Sequence, residues 1–295
     1  MNTPLGAYSD VQSFKSAVSN IAWSFDERFD AYDILQKHGY SGVEIAPGLL
    51  FQDCETPLFP NATKIKTRIS ELQPFGLSFC SMQSLFFGVQ GAALFEDAEK
   101  RATMGAALRA RIDLASSLGI VNLVFGSPKI RNIPSHMTDM DAQQIAEQFF
   151  RELGDYAGKA GCKIALEANP KVYGTNFMNT FSQTADLAKA VQHPAISVNF
   201  DVGSFIINED DTQMADMFQR HDPLVSHVHV SQPQLAPAPD DLGAQNLVNL
   251  LRALKSSNYE NYISIEMKRS DDELTTLRDK AAKLKNVIAS VGSVE

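Results

Sequence analysis

Ile164-Ala165-Leu166-Glu167-Ala168-Asn169-Pro170 is a short apolar run that ends on a carboxylate and breaks at Asn-Pro. A strand buried on both faces of a parallel sheet reads as a near-continuous apolar run, and Pro170 biases Asn169 away from helix. Glu167 is therefore predicted at the carboxyl end of a strand, where the chain turns outward. Open and closed α/β folds both bind ligands at that end of their strands. Taken alone, one such carboxylate reads equally well as an ordinary residue of a solvated loop. Three further runs repeat the arrangement: Ile196-Ser197-Val198-Asn199-Phe200-Asp201, Val225-Ser226-His227-Val228-His229-Val230 and Ile263-Ser264-Ile265-Glu266. They put Asp201, His229 and Glu266 at matching strand ends.

On either side of these strands the alternation continues. After a polar leader over residues 1–18, Ser19 to Trp23 reads as a first strand, followed by Phe25, Phe29, Tyr32 and Leu35 at helical spacing up to Gly39. Gly42-Val43-Glu44-Ile45-Ala46-Pro47, Leu77 to Met82 and Ile120 to Phe125 are the next strands. The helices between them carry Ile65, Ile69 and Leu72, then Met104, Leu108, Ile112, Ala115 and Leu118, and Ile145, Phe149, Tyr156 and Ala160 follow the fourth strand. Helical stripes on Phe181, Ala188 and Val191, on Met214 and Met217, on Leu247, Leu250, Leu251 and Leu254, and on Leu274 to Val291 complete the series. Eight strand-then-helix units of roughly 35 residues match an α/β fold of the (β/α)₈ TIM-barrel type, with one barrel domain over residues 19–295. The stripes are core positions packed on the outside of the sheet.

The chain has 295 residues, with 26 Lys+Arg against 35 Asp+Glu and a net charge of −9. That balance argues against a nucleic-acid partner, which calls for a basic face. No apolar run reaches the roughly 18 residues of a membrane span, and no secretory pattern opens the chain. Cys54, Cys80 and Cys162 are odd in number and lack C-x-x-C spacing, which predicts reduced thiols, a cytoplasmic setting and no thiolate metal site.

Barrel sites form at the carboxyl ends of strands, so Glu167, Asp201, His229 and Glu266 are predicted to share one mouth. Three carboxylates and one imidazole suit a single divalent ion such as Mn²⁺, Mg²⁺, Co²⁺ or Zn²⁺, and without a cation the carboxylates would repel one another. His227 lies on the same side of its strand as His229, one layer deeper, and is expected to pack behind it.

The order Glu, Asp, His and Glu on strands five to eight resembles the sugar isomerases and epimerases of the xylose isomerase-like barrels, the group of D-tagatose 3-epimerase and hydroxypyruvate isomerase. The resemblance covers the chain after the leader. It implies that Glu167, Asp201, His229 and Glu266 bind one divalent metal ion, that Glu167 and Glu266 act as acid and base, and that the substrate is a small carbohydrate. Three positions depart from the ketose 3-epimerase pattern: Tyr173, Ser204 and Leu235 stand where a Glu, a His and an Arg grip the sugar, and Gln232 stands where many relatives have an acid. The expected substrate widens accordingly to a sugar, sugar acid or sugar phosphate.

Gly126-Ser127-Pro128-Lys129-Ile130-Arg131 follows the fourth strand and offers Lys129 and Arg131 to an anionic group, with Lys171, Lys268 and Arg269 as further cations of the same rim. Such cations are as readily explained by pairing with neighbouring acids. Ser204 is a candidate polar contact to substrate, and Trp23, Phe86 and Phe87 are candidates for an apolar wall, with core packing as the plainer account. A different reaction on the same scaffold, a dehydratase of the inosose or dehydroshikimate type, needs only a leaving hydroxyl near the acid. An endonuclease IV-like phosphodiesterase would call for more histidines and a basic surface, and a non-catalytic sugar-binding barrel would hold no metal. The sequence leaves the oligomeric state open and is compatible with a homo-oligomer.

Overall fold

Strands of four to seven residues at Lys15–Ser19 (β1), Gly42–Ile45 (β2), Ser78–Met82 (β3), Asn122–Phe125 (β4), Lys163–Glu167 (β5), Ile196–Asp201 (β6), Val225–Ser231 (β7) and Tyr262–Glu266 (β8) pair in parallel in chain order. Pairing of β8 with β1 closes the barrel. This computed structural model describes residues 14–208, 211–240 and 244–292. A closed sheet has no free edge, and helices cover its outer surface, so both faces of each strand are buried, as the continuous apolar runs require.

Helices begin and end where local chemistry dictates. Asp97 accepts a hydrogen bond from Lys100 N at the start of helix Ala98–Leu118, and Gly119, at φ +74°, ends it in the left-handed conformation. Met104, Leu108, Ile112, Ala115 and Leu118 are buried, one stripe of that helix facing the sheet. Thr180 and Gln183 form a capping box that opens helix Phe181–Val191.

The first strand corrects the sequence-based expectation. It occupies Lys15–Ser19, all but its last residue inside the stretch expected to be leader, while Asn20–Ala22 forms a 3₁₀ turn. Hydropathy misplaces it because Ser16 and Ser19 are fully buried in a strand that also carries Ala17 and Val18. The turn is held by Asn20, which accepts from Ala46 N and donates to Ala46 O, tying the end of β1 to that of β2. Residues 1–13 of the expected leader lie outside the described residues. Among the described residues no helix is long and apolar enough to cross a membrane.

Candidate metal centre

Register brings the four strand ends together. Asp201 is opposite His229, Ser231 opposite Glu266, and Glu167 opposite Asn199. His229 Nδ1 lies 3.2 Å from Glu167 Oε1, 3.2 Å from Glu266 Oε2 and 3.6 Å from Asp201 Oδ2. Glu167, Asp201 and His229 each offer one ligand-type atom within 4.8 Å of the others. The structure therefore gathers the four residues that the sequence placed at strand ends around one imidazole nitrogen.

Each carboxylate is held by polar neighbours. Asn199 Nδ2 donates to Glu167 Oε1 at 2.7 Å and Asn169 Nδ2 donates to Glu167 Oε2 at 3.1 Å. Asp201 accepts from Ser231 Oγ at 2.7 Å and from the Ser204 amide at 2.6 Å, and Ser231 Oγ accepts in turn from the Gly203 amide at 2.8 Å. Two glycines make the approach feasible. A Cβ on Gly126 would stand 2.5 Å from Glu167 Oε2, and one on Gly203 would stand 2.8 Å from Ser231 Oγ.

The electrostatics are those of a site built for positive charge. Burial alone would discharge the His229 ring, but the carboxylates of Glu44 and Glu266, with the contacts to Asp201 and Glu167, outweigh it and hold its pKa well above the ordinary value. Burial pushes the Glu266 carboxyl up to about 7; His229 opposes the shift, and repulsion from Glu167 and Asp201 adds to it. Asp201 is lowered, because its hydrogen bonds and the charge of His229 overcome the cost of burial. By themselves these side chains must hold protons to share so small a space. A divalent ion with oxygen and imidazole ligands answers the same need, so the donor set fits the group.

Two adjoining cavities of about 400 and 410 Å³ open over the cluster, and Ser127, Pro128, Glu167 and Glu266 line both. The first runs under Gln83, Phe86, Phe87 and Lys129; the second is bounded by Tyr173, Ser204, Gln232, Leu235 and Lys268. Tyr173 is fixed by the hydrogen bond its hydroxyl accepts from Gln234 N at 2.9 Å.

Two of the expected substrate contacts are elsewhere. Arg131 is fully buried and donates to Glu167 O at 2.9 Å and Asn169 Oδ1 at 3.0 Å, so it braces the end of β5 and does not line either cavity. The reason is that the loop turns through a 3₁₀ segment at Pro128–Ile130, which carries Lys129 outward and Arg131 inward. Trp23 is 4% exposed and packs edge-on against Tyr32, away from both cavities. Of the other rim cations, Arg269 is paired with Glu27 at 2.7 Å, and Lys171 is exposed but lines neither cavity. His227 is buried behind His229, as expected, but both rings converge on a residue the sequence reading passed over. Glu44 of β2 places Oε1 3.0 Å from His229 Nε2 and 3.4 Å from His227 Nε2. A lone carboxylate inside the apolar run Gly42–Ile45 was the available signal. Asn199 and Ser231 carried none, since small polar residues occur widely in strands.

A closed parallel barrel with a carboxylate and imidazole cluster at its strand ends defines the class. The chain belongs to the xylose isomerase-like TIM barrel family, whose model matches residues 32–287. Among solved structures it is similar to 3-keto-D-glucoside 4-epimerase from E. coli, at 17% identity and a TM-score of 0.73, over 92% of this chain and 99% of that one. It is also similar to an L-ribulose 3-epimerase, at 14% identity and a TM-score of 0.75, over 94% and 95% of the two chains. D-psicose 3-epimerase from Clostridium cellulolyticum H10, in a structure with D-tagatose, matches at 14% identity and a TM-score of 0.73, over 95% of this chain and 100% of that one. Among curated proteins, none matches the chain in sequence.

Proposed function

We propose that the protein is a divalent-metal-dependent isomerase or epimerase of a sugar, sugar acid or sugar phosphate. The observation that carries this reading is the position of Glu167 and Glu266, two carboxylates at the seam of both cavities and each 3.2 Å from the same imidazole nitrogen. Glu167, Asp201, His229 and Glu266 would hold the ion, which when bound polarises a substrate carbonyl and its neighbouring hydroxyl and so acidifies the C–H between them. One glutamate removes that proton and the other returns one to the enediolate, either at the opposite face of the carbon or at the adjacent carbon. The epimerases named above have the same barrel and support the reading. Lys129 and Lys268, exposed on the two cavities, suit a substrate with an anionic group, with Ser204 and Tyr173 as polar contacts and Phe87 beside the carbon chain.

The test is proton exchange. Mn²⁺-loaded protein incubated in D₂O with a panel of ketoses, keto acids of sugars and ketose phosphates is expected to place deuterium on one carbon next to the carbonyl, and Glu167→Gln and Glu266→Gln are expected not to. Formation of a product that has lost water would move the protein to the dehydratases. Exchange at wild-type rates in both variants would remove the glutamates from the reaction.

A further inference from the structure

We propose that Glu44 is a positioning residue that fixes His229 with its proton on Nε2, so that the Nδ1 lone pair is the one presented to a divalent ion. The inference rests on the metal-dependent reading above and adds a residue to it. Glu44 is on β2, which is not a sheet neighbour of β7, yet its side chain crosses the barrel interior to reach both histidines of β7. It is wholly buried, and its second oxygen, Oε2, has no hydrogen-bond partner among the described residues. Its other oxygen, Oε1, lies within hydrogen-bond distance of His229 Nε2, at 3.0 Å, and 3.4 Å from His227 Nε2.

An ionised carboxylate only accepts, and a neutral imidazole carries one proton on one of its two nitrogens. If that proton sat on Nδ1 of His229, the Nε2 lone pair would face Glu44 Oε1 between two fully buried side chains. With an ion bound among Glu167, Glu266 and Asp201, which converge on Nδ1 at 3.2, 3.2 and 3.6 Å, the Nδ1–H would then point at the ion. The reverse tautomer removes both conflicts at once. It also explains why a charged group is kept inside β2, where an apolar side chain would pack at lower cost.

Ring ¹⁵N–¹H correlation spectra of Zn²⁺-loaded wild-type protein, with His227→Gln to assign the two rings, read the tautomer directly. The expected result is a slowly exchanging proton on His229 Nε2 and none on Nδ1. A proton on Nδ1 and none on Nε2 overturns the proposal, since it would put the ion among Glu44, His227 and His229 instead. In Glu44→Gln and Glu44→Leu, the Kd for Mn²⁺ is expected to rise 10- to 100-fold with circular dichroism unchanged, while His227→Gln stays within about threefold of wild type. Wild-type affinity in both folded Glu44 variants also overturns it. Should those variants not fold, the wild-type spectrum decides. A wild-type protein that binds no ion would sink the proposed function itself, whereas tight binding that is indifferent to Glu44 would sink only this inference.

Discussion

β5, β6, β7 and β8 carry Glu167, Asp201, His229 and Glu266 at or near their carboxyl ends, whereas β1, β2, β3 and β4 end on Ser19, Ile45, Met82 and Phe125. In the second half of the barrel the groups suited to chemistry stand on the strands themselves, held by Asn199, Asn169 and Ser231. The first half supplies a wall, with Gln83, Phe86 and Phe87 on the loop after β3, and reaches the cluster through the buried Glu44 and, from the loop after β4, through Gly126 and Arg131 against Glu167. Rigid strands hold reactive groups more closely than loops do, so the division predicts that catalysis depends on one half and selectivity on the loops that face it.

The largest effect that can break this comparison is loss of proton exchange. Glu167→Gln and Glu266→Gln keep the side-chain volume but remove the base, and deuterium incorporation followed by NMR is expected to fall by roughly 10² to 10⁴-fold. A smaller loss, about 10²-fold in kcat, is expected of Gly126→Ala, whose methyl group would meet Glu167 Oε2 at 2.5 Å and displace it. Gly48→Ala is the matched control, since a Cβ there meets nothing nearer than 3.9 Å. Equal activity in the two alanine variants would mean that the position of Glu167 does not matter to the reaction.

How far the sequence revealed this division follows from which residues speak by pattern. Glu167, Asp201, His229 and Glu266 were legible because each closes an apolar run and their order repeats with the strands. The eight units were legible from the alternation of short strands and helical stripes. β1 was not, because its buried Ser16 and Ser19 look like loop residues to any hydropathy rule. Neither was the fate of Arg131: Lys129 and Arg131 lie two apart in one loop, and only the path of the backbone sends one guanidinium under β5 and leaves the ammonium at the rim. Glu44 needed the third dimension, since its partners are on β7, across the barrel interior.

A thermal test sharpens the same contrast. Mn²⁺ at about 100 times its Kd is expected to stabilise wild-type protein by about 2.7 kcal/mol, seen as a rise in Tm, and Asp201→Asn is expected to lose most of that response. The smallest effects separate the two cations of the fourth loop. Arg131→Ala is expected to lower unfolding stability by about 1.5 to 3 kcal/mol, because it strands the buried acceptors Glu167 O and Asn169 Oδ1. It should leave the preference between an anionic substrate and its neutral counterpart unchanged. Lys129→Ala is expected to do the reverse, with stability within about 0.5 kcal/mol of wild type and a lower ratio of kcat/KM for the anionic substrate. A ratio that does not move would assign Lys129 to solvent and point to neutral sugars.

The metal centre is the claim on which the rest depends, and a titration of chelator-treated protein with Mn²⁺, followed by the electron paramagnetic resonance signal of the free ion, tests it most directly. The signal is expected to stay suppressed until one equivalent has been added and then to rise in proportion, and in His229→Gln it should rise from the first addition. A free-ion signal that grows from the first addition in wild-type protein would contradict the account, because Glu167, Asp201, His229 and Glu266 would then be a proton-sharing cluster and not the seat of an ion.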